Sequence, residues 1–567
     1  MLKAWLEDAL IEVEWYRKMS MIWKRLQKNF KKKQNVQYTE ELDLPQSSQQ
    51  LDQNLQTNIR NMKDTLGNSS DLIIREFKIG QNPVYNAALI CMDGLIDADF
   101  INDFLMKTLM NKLENSEKSD AKSPQDLLIK IKEKVLTVAE VKNAQGWNKL
   151  LLSLLSGETV LLIDGCDDTL VCSTKGGELR SILEPVSELS IRGPRDSFTE
   201  SIRTNTAMVR RRIKSPNLWV ETMQIGEITQ TDVGMMYVKG IVNDKLVQEV
   251  KERLERIEID EVLASNTIEE YIIDATVSPW PTIFVTERPD VVAGNLMEGR
   301  IVIFVDGTPF PLLVPATWNQ FFQSAEDYYL RWNIASFIRF IRVVSLLLAM
   351  LGPSIYIAFL SFHQELIPSP LLVSLAAQRQ GIPFPVFIEA LLMEFTFEIL
   401  REAGVRMPRP VGSAVSIVGA LVLGDAAVQA GIVSAGMVIV VSATAIGSFT
   451  IPHHSMVDAV RIIRFALMAL AASFGIYGIG LGVIMLVAHT CSLRSFGIPY
   501  LAPFAPLILS DQGDTILRLP KPWLAKRPRL VDQNKIGRSN NTPKPKPPEK
   551  GSNTIKKDHS KRNADET

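Results

Sequence analysis

The chain has 567 residues, 46% hydrophobic and 22% charged, with a net charge of −1, which is several times the size of one compact domain. That average conceals a division: residues 343–510 hold seven acids, seven arginines and no lysine, and no lysine occurs between Lys251 and Lys521. A uniformly soluble enzyme is excluded, and so is a transporter that is membrane from end to end.

The N-terminal 33 residues have a helical pattern, with Leu2, Leu6, Leu10 and Val13 roughly on one face and Trp15 and Trp23 among basic residues. Acids interrupt its apolar residues, so no signal peptide is expected. Such a helix either lies on an anionic membrane surface or packs on a partner. The Gln- and Asn-rich stretch 45–60 reads as linker. Between 73 and 185 the pattern is α/β, with strands over 87–90 and 159–163, a hairpin partner at 169–173, and helices over 100–113 and 124–138. A second α/β unit spans about 192–313, with strands at 218–225, 235–242, 282–285 and 301–305 and helices at 245–257 and 289–297. At the junction, Ser197 and Glu200 have capping-box spacing and predict a helix running from there to Arg212. Arg210, Arg211 and Arg212 suit its C-terminal end, where a structural role is favoured over an anion site.

The back half predicts spans at 343–362 and 465–487. Pro353 inside the first frees a backbone carbonyl that a neighbouring helix must satisfy. The stretch 411–452 carries one charge, Asp425; as one helix it would reach about 63 Å, so a break within 424–431 is expected. The proline-bearing stretch 495–509 is too short to cross and reads as interfacial or re-entrant. Over 383–403, Glu394, Glu398, Arg401 and Glu402 share one side of a helical wheel, a pattern suited to a membrane surface or an aqueous path. Arg331, Arg339 and Arg342 place the start of the first span on the cytoplasmic side. The tail from Lys521, with thirteen Lys/Arg against five Asp/Glu, reads as disordered and cytoplasmic. Four spans follow, although Arg461 and Arg464 fit that topology awkwardly.

The expected organisation is a helix and linker over 1–70, α/β subdomains over 71–190 and 191–325, an all-α polytopic membrane domain over 326–510, and a disordered basic tail over 511–567. The candidate ion path comprises Glu389, Glu394, Glu398 and Asp425. Gly412, Ser416, Gly419 and Gly431 are candidates for close helix or subunit packing. Arg192, Arg195 and Asp196 form a polar motif between the subdomains. No catalytic set, phosphate loop, cofactor motif or nucleic-acid motif stands out, and Cys91, Cys166, Cys172 and Cys491 have neither zinc nor disulfide-framework spacing. Adjacent His453 and His454 point about 100° apart on a helix and suit one metal ion poorly.

Four stretches are recognisable: 192–198 (RGPRDSF), 353–358 (PSIYIA), 398–404 (EILREAG) and 407–431 (MPRPVGSAVSIVGALVLGDAAVQAG). They closely resemble the A subunit of the GerA-type spore germinant receptors, in the right order over about 75–510. The resemblance implies a non-enzymatic, multi-pass protein of the spore inner membrane, with both termini cytoplasmic, that helps trigger germination. It implies a transporter-like B subunit and a lipoprotein C subunit as partners, together with membrane lipid, and a homo-oligomeric, ion-conducting role for the A subunit. Asp425 and the His453-His454 pair depart from the smaller or neutral residues expected there. A stage V sporulation AF-type accessory protein and a secondary transporter are the alternatives, the latter needing an inverted repeat not found within 343–510.

Overall fold

All five residues of Thr159–Ile163 are buried, because apolar clusters cover both faces of the strand: Leu161 and Ile163 on one side, Val160 and Leu162 on the other. The computed structural model describes residues 51–79, 84–97, 101, 123–132, 141–144, 146–176, 184–185, 187–406, 424–524, 526–531 and 537–538. The expected N-terminal helix, nearly all of the expected helix over 100–113, the 407–423 segment with Gly412, Ser416 and Gly419, and the tail beyond 538 lie outside the described residues.

The first α/β unit contains helix α1 (Leu55–Thr65), strands β1 (Leu72–Ile79) and β2 (Tyr85–Met92), helix α2 (Pro124–Lys130), β3 (Val141–Ala144), α3 (Trp147–Leu154), β4 (Thr159–Ile163) and β5 (Thr169–Cys172). α1 corrects the linker expected over 45–60. Asn54 caps it, and Leu55, Ile59, Met62 and Leu66 form a buried stripe that the polar composition disguised. The second unit contains α4 (Ile202–Arg212), β6 (Leu218–Ile225), β7 (Thr231–Val238), α5 (Asp244–Glu255), α6 (Ser265–Ile272), β8 (Phe284–Val285), α7 (Pro289–Leu296), β9 (Ile301–Val305) and β10 (Leu312–Val314). β7 begins four residues before the expected 235–242, since pairing with β6 draws in Thr231 to Gly234, and Gly240 turns the chain at φ 83°.

The two units are one design used twice. Their strand orders are β1-β2-β4-β5-β3 and β6-β7-β9-β10-β8, and every pairing is antiparallel. Gly157, Asp164 and Gly165 recur at one constant offset as Gly299, Asp306 and Gly307, and all four glycines have φ between 85° and 89°. The aspartates do the same work. Asp164 Oδ1 accepts from Leu55 N at 3.1 Å and Asp306 Oδ1 from Ile202 N at 2.9 Å, each serving an orphan donor at the start of a helix. The helix expected to start at Ser197 therefore starts at Ile202 with Asp306 as its cap; Ser197 Oγ instead donates to Glu287 O. Replacing either aspartate by alanine is expected to cost about 1 kcal/mol, and the two losses should add. Thermal unfolding of the three variants in detergent checks this; a neutral Asp306→Ala would contradict the equivalence.

Arg210 joins the units. Its Nε donates to Asp71 Oδ2 at 2.6 Å, and its Nη2 donates to Asp71 Oδ1 and Ser69 Oγ, both at 2.9 Å. Arg211 donates to Gly176 O and Arg212 pairs with Asp196, so the three arginines act structurally.

The helical half comprises α8 (Trp332–Ser361), α9 (Ser369–Arg379), α10 (Val386–Arg406), α11 (Ala435–Phe449) and α12 (His454–Ser492). α8 starts well before Val343 because buried Asp327 holds Arg339 and Arg342 inside the helix. The break expected within 424–431 falls at 430–434, where Gly431 has φ 66°. α12 is not one rod. Gly475 has φ 61° and ψ −137°; a Cβ on Gly482 would lie 2.6 Å from Leu467 Cδ2, and one on Gly478 would lie 2.2 Å from Leu470 O. On a straight helix Leu467 and Gly482 would be about 22 Å apart. The single span expected at 465–487 is therefore two arms, 454–474 and 476–492, folded back on each other.

Both ends of α12 return to the second α/β unit, where Phe284, Phe321, Leu346, Met456, Leu493 and Tyr500 share one core. The 495–509 stretch, expected to be interfacial, packs on that unit instead. Ser495 Oγ donates to Thr282 O and accepts from Ala316 N, and Trp318 N donates to Tyr500 O. Part of the expected disordered tail is docked as well: Arg527 Nε donates to Met297 O and Arg538 pairs with Glu298.

Candidate functional site

α10 presents Glu389, Glu394 and Glu398 to its neighbours, each toward a different residue, while Glu402 is exposed and pairs with Arg406 of its own helix. Glu389 Oε1 accepts from the backbone N of Ser434 at 2.5 Å and from the Ser434 hydroxyl, with Arg379 Nε 3.4 Å from Oε2. Glu394 Oε2 accepts from Arg464 Nη1 at 2.7 Å. Glu398 pairs with Arg461, which also donates to Asp458 Oδ1 at 2.8 Å. Glu389 and Glu394 are fully buried. The charged side expected to meet water thus meets arginines and a helix N-terminus, and the ladder runs antiparallel: 398 to 461, then 394 to 464.

Arg464 does a second job. Its Nε donates at 2.7 Å to Ala349 O, the carbonyl left without its intrahelical partner because residue 353 is proline. The partner that the sequence demanded for this carbonyl is a guanidinium on α12. Glu394 Oε1 and Glu398 Oε1 are buried without a hydrogen-bond donor among the described residues, and Glu389 Oε2 has only the Arg379 guanidinium beside it, too poorly aligned for a hydrogen bond.

The other expected site residues do not join this ladder. Asp425 is exposed and accepts from Gln429 Nε2. Gly431 forms a turn, where an added Cβ would come 3.4 Å from Gly381 O. Arg192 is exposed, Arg195 lies 3.4 Å from exposed Glu184, and Asp196 pairs with Arg212. Their stretch is held from below by Arg288, which donates to Glu188 O, Ser190 Oγ and Pro194 O. Sequence reasoning missed Asp327 as the hub of Arg339 and Arg342; its signal was the Ser324-to-Asp327 capping box.

His453 and His454 diverge as expected from helix geometry. His454 is exposed, whereas His453 is buried between the rings of Phe284 and Phe321, with its Nδ1 3.6 Å from Glu188 Oε1. Burial pushes His453 down to about 4, with Arg342 and His454 adding to the shift and the Gln323 carbonyl opposing it. Burial pushes Glu188 up to about 7, opposed by the Thr286 hydroxyl and Arg288 and reinforced by Glu287 and Asp290. The two titrations oppose each other. The lowered His453 removes stability as pH falls from 6.5 toward 4, and the raised Glu188 removes it as pH rises from 4.5 toward 7. His453→Gln should leave only the second slope and Glu188→Gln only the first, each about 3 kcal/mol at most. Unfolding midpoints measured across that range check it; parallel profiles for the two variants would refute it.

The model of the Bacillus/Clostridium GerA spore germination protein family matches residues 60–530. The chain is 50% identical over 495 residues to spore germination protein KA of Bacillus subtilis (strain 168), covering 87% of this chain and 89% of that one. It is 38% identical to spore germination protein A1 of the same organism over 458 residues, 81% of this chain and 94% of the other. Among solved structures it matches the crystal structure of the N-terminal domain of the A subunit of the Bacillus megaterium spore germinant receptor GerK3. Identity there is 45%, coverage 48% of this chain and 98% of that one, and the TM-score 0.38.

Proposed function

The chain belongs to the GerA family of spore germination proteins, and on that premise we propose that it is the A subunit of a nutrient germinant receptor and its oligomeric ion-conducting component. In this reading it sits in the spore inner membrane as a multi-pass protein with cytoplasmic termini, beside a transporter-like B subunit and a lipoprotein C subunit. α8 is long and apolar enough to cross a membrane, and so by length and composition is α12 taken whole, which the reversal at Gly475 divides into two arms. The helices also turn large apolar residues outward, among them Phe337, Phe395, Ile439, Ile462 and Ile484, as lipid or subunit contacts require. α12 leaves the α/β unit and returns to it, which suits a membrane crossed an even number of times with both α/β units on one side.

The observation that carries the ionic part is the set of unmatched carboxylate oxygens within an apolar helical layer. Glu394 and Glu398 lie one turn apart, and buried acids with free lone pairs suit the passage of cations. Glu398→Gln tests it with little harm to folding, because Arg461 keeps Asp458. Spores carrying this variant at normal protein level should release monovalent cations about tenfold more slowly on nutrient addition. Unchanged release would remove Glu398 from the path. Unchanged germination toward every nutrient in spores lacking the whole chain would refute the receptor role itself.

A further inference from the structure

Arg300 is the second α/β unit's counterpart of Glu158, at the same offset that relates Gly157 to Gly299. In the first unit Glu158 is paired with Lys175 at 3.1 Å. In the second unit the acid has become an arginine that is 5% exposed, with no acceptor at Nε or Nη1 among the described residues. A buried guanidinium with two unmatched nitrogens is costly. It lines a cleft of about 80 Å³ between the second unit and residues 498–531, with Arg538 beside them.

The acids around the cleft are already engaged. Glu298 receives Arg538, and Asp514 receives Arg339 and the Tyr328 hydroxyl. Asp511 receives Ser510 Oγ and Arg529 N. Lys526 stands exposed at the mouth, while Ile498, Pro503 and Leu530 supply apolar wall. Of the four cationic side chains that line the cleft, Arg538 is paired with Glu298 and Arg527 donates to the Met297 and Gly537 carbonyls, which leaves Arg300, buried, and Lys526, at the rim, to meet a ligand.

We propose that this cleft is a binding site for a phosphate group, with Arg300 as its buried anchor and Lys526 at its rim. Two N–H donors in a partly dry cleft make strong charge-assisted bonds to phosphate oxygens, and the second cation balances a second negative charge. The group arrives either as free phosphate or on the headgroup of an anionic lipid, since the Arg339–Asp514 pair ties the cleft to the first turns of α8.

The test uses the full chain in detergent, with inorganic phosphate titrated at constant ionic strength against its unfolding midpoint. A saturable rise is expected, with apparent affinity about tenfold weaker in Arg300→Met and about threefold weaker in Lys526→Gln. Arg300→Met removes an unmatched buried charge and should fold at least as well as the parent, and Lys526→Gln alters only an exposed side chain. If free phosphate has no effect but nanodiscs of phosphatidylglycerol stabilise the parent over phosphatidylcholine, and not Arg300→Met, the phosphate comes from lipid. A rise of equal size in all three proteins is a general salt effect and overturns the site. So does the absence of any difference between parent and Arg300→Met in both arms.

Discussion

Arg464→Met is expected to destabilise the helical half by about 3–5 kcal/mol, because it strands the buried Glu394 carboxylate and unsatisfies Ala349 O in one step. These two losses can be separated. Adding Glu394→Leu removes the stranded charge, and an apolar pair in place of a buried ion pair is often neutral or better. The double variant should therefore recover all but about 1–3 kcal/mol, the cost of the unmet carbonyl. Adding Pro353→Ala supplies the missing N–H from within α8 and should recover most of that remainder. Unfolding midpoints in detergent, read in this order, check the scheme. A double variant as unstable as Arg464→Met would mean that Glu394 is not the group left stranded. A triple variant no better than the double would mean that Ala349 O does not depend on Arg464.

This clasp marks how far the sequence could be read. Pro353 in an apolar span announces an unmatched carbonyl, because proline lacks the N–H, so the need was legible and its donor was not. The donor lies 115 positions away, and no local pattern links the two. A signal existed nonetheless. Arg461 and Arg464 fitted poorly as topology markers, and their spacing places them on one helical face, as does the spacing of Glu394 and Glu398. Reading the two misfits together would have found the ladder. The wheel of α10 instead suggested water, since a charged face looks the same whether solvent or an opposing charged helix completes it.

Strands were legible where both faces are buried. Thr159–Ile163 and Ile301–Val305 are apolar runs closed by Asp-Gly, and both were located residue for residue. Short edge strands such as Val141–Ala144, with Lys142 and Asn143 both exposed, carry too little apolar signal to stand out. The start of α4 was misplaced because Ser197 and Glu200 have the spacing of a cap, while the group that serves the helix, Asp306, comes from the turn after β9, four strands later. The reversal at Gly475 was invisible for a similar reason. Glycine is common in apolar spans, and what makes this one a hinge is Phe362 and His363 packed against it, where an added Cβ would meet them at 2.9–3.0 Å.

Asp327→Ala should be the most damaging single change at the boundary between the α/β units and the helices. Its carboxylate is completely buried and accepts from Arg339 Nε at 2.8 Å and from Arg342 Nη1 at 2.7 Å. It also accepts from the backbone N of Ser324 at 3.2 Å, closing the capping box of its own turn. Removal leaves two guanidiniums facing each other in a site 1% and 10% exposed; a loss of about 3–5 kcal/mol is expected from the unpaired charges alone. Asp514→Ala is the internal control. That side chain is 21% exposed, and Arg339 would keep both Asp327 and the Thr515 carbonyl, so about 1 kcal/mol should be lost. Hydrogen exchange over 332–345 distinguishes the two. Asp327→Ala should loosen the first turns of α8 while β9 stays protected, since the sheet's own core does not include Asp327. Equal losses in the two variants would show that the arginines are held by the 511–518 segment rather than by Asp327, and would move the anchor of α8 from the α/β side to the C-terminal strap.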